Sequence, residues 1–122
     1  EESGKKVVLI VSHSLSHRQF TTEAPLPEDM SREHIYNHSQ YVWDMKVIDL
    51  MRNGKMQEFI DLMPEFTEQT MAETEGGGLT WMMGAMGMPD YPAEIYGYQS
   101  VIGTGNVVAC WDPNDVTREL VL

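Results

Sequence analysis

The sequence predicts an α/β domain. Three observations carry that expectation: a β-branched apolar run at Val7–Val11, a middle third whose apolar residues recur at helical spacing, and a last third of short β-prone runs broken by glycines. The run Val7-Val8-Leu9-Ile10-Val11 reads as a strand buried on both faces, which implies a sheet covered by helices. It leads into Ser12-His13-Ser14-Leu15-Ser16-His17, so two histidines stand where an α/β sheet builds its sites, at the carboxyl end of a strand.

The elements follow in order. Gly4-Lys5-Lys6 is a turn before the first strand. Thr21–Met30 contains Pro25 and Pro27, which remove backbone donors and disfavour helix, so it reads as a loop, a lid or rim over the strand end. Ser31 is a good N-cap for a helix reaching about Met51, and Arg52-Asn53-Gly54 is a clean stop. Met56, Phe59, Ile60 and Met63 predict a second, short helix. Pro64, followed by Glu65, suits the first position of a third helix that continues through Phe66, Thr70 and Glu73. Glu75-Gly76-Gly77-Gly78 either ends that helix or lets something approach the backbone closely. A Met-rich helix resumes over Leu79–Met86, and Gly87 to Pro92 is a loop. Residues 95–102 and 107–111 form a hairpin turned by Gly103-Thr104-Gly105-Asn106, and Val116–Leu122 forms a short final element. So few strands beneath so many apolar helices predict further strands supplied from outside this chain. The start at Glu1, without an initiator Met, fits a natural terminus and a piece of a longer polypeptide equally well.

Composition bounds the function. A chain of 122 residues makes one domain. The net charge of −11 excludes the basic stripe a nucleic-acid surface needs and argues against an anionic membrane surface. The one cysteine, Cys110, can form no internal disulfide, which suits a reducing, cytoplasmic setting. There is no apolar run long enough to span a membrane and no signal-peptide pattern.

Candidates for chemistry are few. His13 and His17 are either loop histidines bonded to neighbouring serines or functional imidazoles able to exchange protons near neutral pH. His34 and His38 repeat the spacing on a helix face without a third ligand nearby, which favours solvated or packing roles. Glu73 and Glu75 flank the glycine run, where a ligand can reach a carboxylate, and sites of the two-His-one-carboxylate type need such a residue. Gly103-x-Gly105 lacks the context of a nucleotide loop, and the serines form no nucleophile elbow. The methionines read as core filler.

Val8-Leu9-Ile10-Val11-Ser12-His13-Ser14-Leu15-Ser16-His17 resembles the strand and Leu-Ser-His motif of the class III extradiol ring-cleavage dioxygenases of the protocatechuate 4,5-dioxygenase type. Tyr36-Asn37-His38, Trp43-Asp44-Met45-Lys46-Val47, Leu79-Thr80-Trp81-Met82, Tyr96-Gly97-Tyr98 and Val101–Asn106 agree in order, most of all with the branch containing the catalytic subunit of 2-aminophenol 1,6-dioxygenase. The resemblance implies that residues 1–122 are the C-terminal part of a single mixed-sheet α/β dioxygenase domain with covering helices and a terminal β-hairpin. It implies a non-haem Fe(II) enzyme that opens a catechol- or 2-aminophenol-like ring with O₂, inactive as this chain alone. Carried over by motif, His17 matches the acid–base catalyst and Glu73, in preference to Glu75, the iron carboxylate. His13 becomes a substrate contact. The two iron histidines would come from the N-terminal part of the same catalytic domain, and a homologous second subunit is a further expected partner. The alternatives are a non-catalytic partner subunit of the same fold and a metal-dependent hydrolase using His13, His17 and a Glu. The pairing of His17 with Glu73 opposes the first, and the absence of a hydrolase motif opposes the second.

Overall fold

The computed structural model describes residues 3–17, 37–101 and 103–114. The expected loop at 21–30, Ser31, His34 and the final element at 116–122 lie outside them. The described elements are three helices and a two-stranded antiparallel sheet, an α/β arrangement as the sequence predicts.

Helix α1 spans His38–Arg52. Asn37, in extended conformation, caps it by accepting from the Gln40 amide at 2.9 Å, so the described helix begins at an Asn cap rather than at Ser31. Its buried stripe is Gln40, Asp44, Val47, Ile48 and Met51, the spacing of one helix face. Two of those five residues are polar, which an ordinary core face would not carry.

Helix α2 spans Met56–Thr70 without a break, with Pro64 inside it. This corrects the expectation of two helices divided at Pro64. The proline ring lies on the solvent side of the helix, where the carbonyl left without its helical partner can bond to water. The stripe Met56, Phe59, Met63, Phe66 and Thr70 is continuous across it, and burial of that face outweighs one lost hydrogen bond. Phe59 and Phe66 are fully buried; each stabilises the fold by about 1.5–3 kcal/mol relative to exposure.

The helix expected to run through Glu73 stops earlier, at Thr70, so the glycine run does not end it. Helix α2 ends at a left-handed Met71, a single 3₁₀ turn covers Glu73–Gly76, and α3 covers Gly77–Ala85. Two of the three glycines therefore lie inside the first turn of α3 rather than before it.

Strands β1 (Glu94–Val101) and β2 (Thr104–Cys110) pair antiparallel with Val101 opposite Thr104. The connection is tighter than predicted, and Thr104, Gly105 and Asn106 belong to β2. The hairpin lays Ile95, Tyr98, Val107 and Ala109 on the core formed by α1, α2, α3 and Leu15.

The run Val7–Val11 forms no strand here. Leu9 and Val11 pack on the core, while Val7, Val8 and Ile10 are 78%, 84% and 82% exposed. The expectation of burial on both faces is corrected: a strand needs a neighbour along its edge, and the described sheet contains only β1 and β2. Order returns at residues 15–17. The Leu15 amide donates to the Gly105 carbonyl (2.8 Å), the Gly105 amide to the Ser16 carbonyl (2.9 Å), and the His17 amide to the Thr70 carbonyl (3.3 Å). This segment is thus stitched between β2 and the end of α2.

Candidate functional site

Residues 13–17 bend at Leu15 and Ser16 and present groups to more than one side. The Leu15 side chain enters the core. The Ser14 amide donates to Glu73 Oε2 at 2.5 Å, and the Ser16 amide donates to Asp44 Oδ1 at 3.0 Å. Two carboxylates from distant parts of the chain therefore grip one short segment.

Glu73 reaches it through an unusual backbone. Met71, Thr74 and Glu75 have φ of 51°, 45° and 55°, in the left-handed region that costs a residue with a side chain roughly 1–2 kcal/mol. The kink turns the chain from α2 into α3 and leaves Glu73 facing the histidine segment, while Glu75 is exposed.

His13 Nδ1 and His17 Nδ1 each lie 3.9 Å from Glu73 Oε2. The His13 side chain is only 4% exposed, against 33% for His17 and 32% for Glu73, so the cluster opens to solvent on the His17 and Glu73 side. A Cβ at Gly78 would sit 2.8 Å from His13 Nδ1 and 3.2 Å from Val11 Cγ1, which is why a residue without one faces the ring. The amide of Ser14 holds the Glu73 carboxyl below the usual range, assisted by both imidazoles and opposed by burial. Burial lowers the His13 pKa, with Glu73 acting against it and His17 with it. His13 Nε2 and His17 Nδ1 are buried and have no hydrogen-bond partner among the described residues. Orphaned imidazole nitrogens beside an ionised carboxylate are poised for a ligand, a proton or a metal.

The fit to a metal is that of one wall. Glu73 offers a carboxylate of lowered pKa beside open imidazole nitrogens, which is mixed oxygen and nitrogen donor chemistry suited to a divalent transition-metal ion. Among the described residues, no group of three or more His, Cys, Asp or Glu is placed to hold a metal by itself. His38 is not part of the cluster: it starts α1, is exposed and stacks on Tyr41 at 6.2 Å.

Sequence reasoning missed Asp44. It is fully buried, and its Oδ2 accepts from Ser16 Oγ (2.7 Å) and from the Tyr98 hydroxyl (2.6 Å). Burial raises the Asp44 pKa despite these bonds, and burial together with donation to Asp44 raises that of Tyr98. The signal was present: Gln40 and Asp44 fall in the apolar stripe of α1, and an unexplained polar residue on a core face asks for a partner.

Comparison with known proteins agrees with the sequence resemblance. Residues 1–109 match the family described as the catalytic LigB subunit of aromatic ring-opening dioxygenase. The chain is 50% identical over 111 residues to the 2-aminophenol 1,6-dioxygenase beta subunit of a Pseudomonas species, an alignment covering 91% of this chain and 36% of that relative. The chain thus spans little more than a third of the length of the relative it matches.

Proposed function

The chain belongs to the LigB family of catalytic subunits of aromatic ring-opening dioxygenases, and from that premise we propose that it is the C-terminal part of a single extradiol dioxygenase domain acting on a catechol- or 2-aminophenol-like ring. The observation that carries the reading is the convergence of His13 and His17 on Glu73, each imidazole retaining a buried nitrogen without a hydrogen-bond partner among the described residues. Glu73 is the carboxylate ligand of an Fe(II) whose histidines belong to the N-terminal part of the same domain. Bound there, the iron supplies Lewis-acid and O₂ chemistry at open coordination positions.

The chain's own residues do the rest. His17, partly open to solvent, takes a proton from the substrate's hydroxyl or amino group and returns one later in the reaction. His13, enclosed and kept neutral by burial, orients the ring through a hydrogen bond. The exposed apolar row Val7, Val8 and Ile10 supports the idea that further strands of the same domain cover this run. A homologous second subunit is the expected protein partner, since the relative is itself named as a beta subunit. The single exposed cysteine, Cys110, suits a cytoplasmic setting; among the described residues no helix is long and apolar enough to cross a membrane.

The test is His17→Ala in the complete iron-loaded enzyme. Turnover of the aromatic substrate should fall by about 10²–10⁴-fold with iron content unchanged. Wild-type turnover by that variant would overturn the assignment. A companion titration asks whether this chain alone binds Fe(II) and opens the ring; tight binding with activity would overturn the view that it is one part of a larger site.

A further inference from the structure

We propose that Asp44 is a positioning residue for the candidate site: its buried carboxylate fixes Ser16, and through Ser16 the register in which His17 and the Ser14 amide face Glu73. This rests on the reading of His17 and Glu73 given above.

The argument begins with cost. A carboxylate at 0% exposure, in a stripe shared with Gln40, Val47, Ile48 and Met51, is expensive unless directional bonds repay its desolvation. An apolar residue would pack that face with no such cost. What Asp44 adds is direction. Both of its oxygens are engaged, and two of its three donors belong to one residue, Ser16, itself fully buried. Ser16 stands immediately before His17 and two positions after Ser14. Only Leu15 separates Ser14 from Ser16, its amide held by the Gly105 carbonyl and its carbonyl accepting from the Glu73 amide at 3.4 Å, so a shift at Ser16 displaces the Ser14 amide that donates to Glu73.

The hairpin closes the device from behind. Tyr98 on β1 donates to Asp44, and the Gly105 amide on β2 donates to both the Ser16 hydroxyl (3.1 Å) and the Ser16 carbonyl (2.9 Å). A Cβ at Gly105 would lie 1.8 Å from Asp44 Oδ2 and 2.8 Å from Ser16 Oγ. Gly105 is not among the glycines with positive φ. Its missing side chain is therefore explained by room for the carboxylate rather than by backbone conformation. Helix α1 and strand β2 hold Ser16 directly, next to the proposed acid–base histidine, and β1 backs Asp44 through Tyr98.

The experiment uses the complete iron-loaded enzyme with Asp44→Ala, Asp44→Asn and Gly105→Ala. Steady-state rates per bound iron are read together with amide hydrogen exchange across residues 13–17. A displacement of order 1 Å at a reacting group costs about 100-fold. Asp44→Ala should accordingly lower kcat by about 10–100-fold with KM nearly unchanged, and exchange across 13–17 should quicken while α2 stays protected. Asp44→Asn, which keeps the acceptor for the Ser16 amide, should recover most of the rate. Gly105→Ala, whose Cβ meets Asp44 Oδ2, Tyr98 Oη and Ser16 Oγ, should reproduce the Asp44→Ala defect. If Asp44→Ala only lowers Tm, with kcat per iron and exchange across 13–17 unchanged, Asp44 is filler and the proposal is overturned. Should Asp44→Ala fail to fold, Gly105→Ala and Asp44→Asn carry the same two readouts, and wild-type values in both would overturn it. Should His17→Ala retain turnover while exchange across 13–17 responds as expected, the role of His17 falls and the fixing of the segment by Asp44 stands.

Discussion

The two faces of the segment 13–17 carry the same contact with opposite results. On the open face, a backbone amide donates to Glu73, and the carboxyl pKa falls. On the core face, a backbone amide two residues later donates to Asp44, two hydroxyls donate as well, and yet the pKa rises. Asp44 has more donors than Glu73 but no water. Desolvation is the largest influence on Asp44, whereas the amide hydrogen bond is the largest on Glu73. A hydrogen-bonded carboxylate becomes a ready ligand where solvent still reaches it and a structural anchor where solvent does not.

The comparison breaks most visibly at the open face. Glu73→Ala in the complete enzyme should cost about 10²–10³-fold in turnover and release iron on dialysis, while Glu75→Gln, at an exposed position, should change neither; metal analysis after gel filtration reads both. Next in size is the core face. Asp44→Ala strands the Ser16 amide and two hydroxyls and should destabilise the fold by about 3 kcal/mol, measured by urea unfolding, whereas Glu73→Ala should leave stability nearly unchanged. Tyr98→Phe removes one of Asp44's donors and should cost about 1 kcal/mol, less than Asp44→Ala by the same assay.

The smallest expected effect is a slope with pH. The folded-state pKa of Asp44 is raised above its ordinary value near 4. Between those two values the folded state holds more protons than the unfolded state, so this group's contribution to stability falls as pH rises through that window. Asp44→Asn should remove this falling component, so that its unfolding free energy declines less than that of the parent as pH rises above about 4. An identical slope in the two proteins would mean that Asp44 titrates normally.

Much of the fold was legible in the residues because the signals were local. Arg52-Asn53-Gly54 as a stop and the two β-prone runs on either side of Gly103 each act within a few positions. Pro64 misled because its usual place is the first turn, and only the solvent exposure of that helix face makes it tolerable mid-helix. Val7–Val11 misled for the opposite reason. Its composition states a preference for a sheet, but a strand exists only with a partner along its edge. At the site, His13, His17 and Glu73 could be singled out by type and by resemblance. Asp44 carried a signal in its position on the α1 stripe, yet its partners stand 28 and 54 residues away in sequence.

The sequence by itself determined the α/β class, the helical middle, the hairpin, the family and the shortlist of reactive side chains, because these depend on residue type and short-range spacing. Only the tertiary structure decided that Glu73 rather than Glu75 faces the histidines, that Gly78 makes room for His13, and that Asp44 grips Ser16 from behind. Those outcomes depend on left-handed backbone at Met71, Thr74, Glu75 and Gly76 and on close approach between segments far apart in the chain. Periodicity does not encode such distances. They arise when buried polar groups, once removed from water, must find one another.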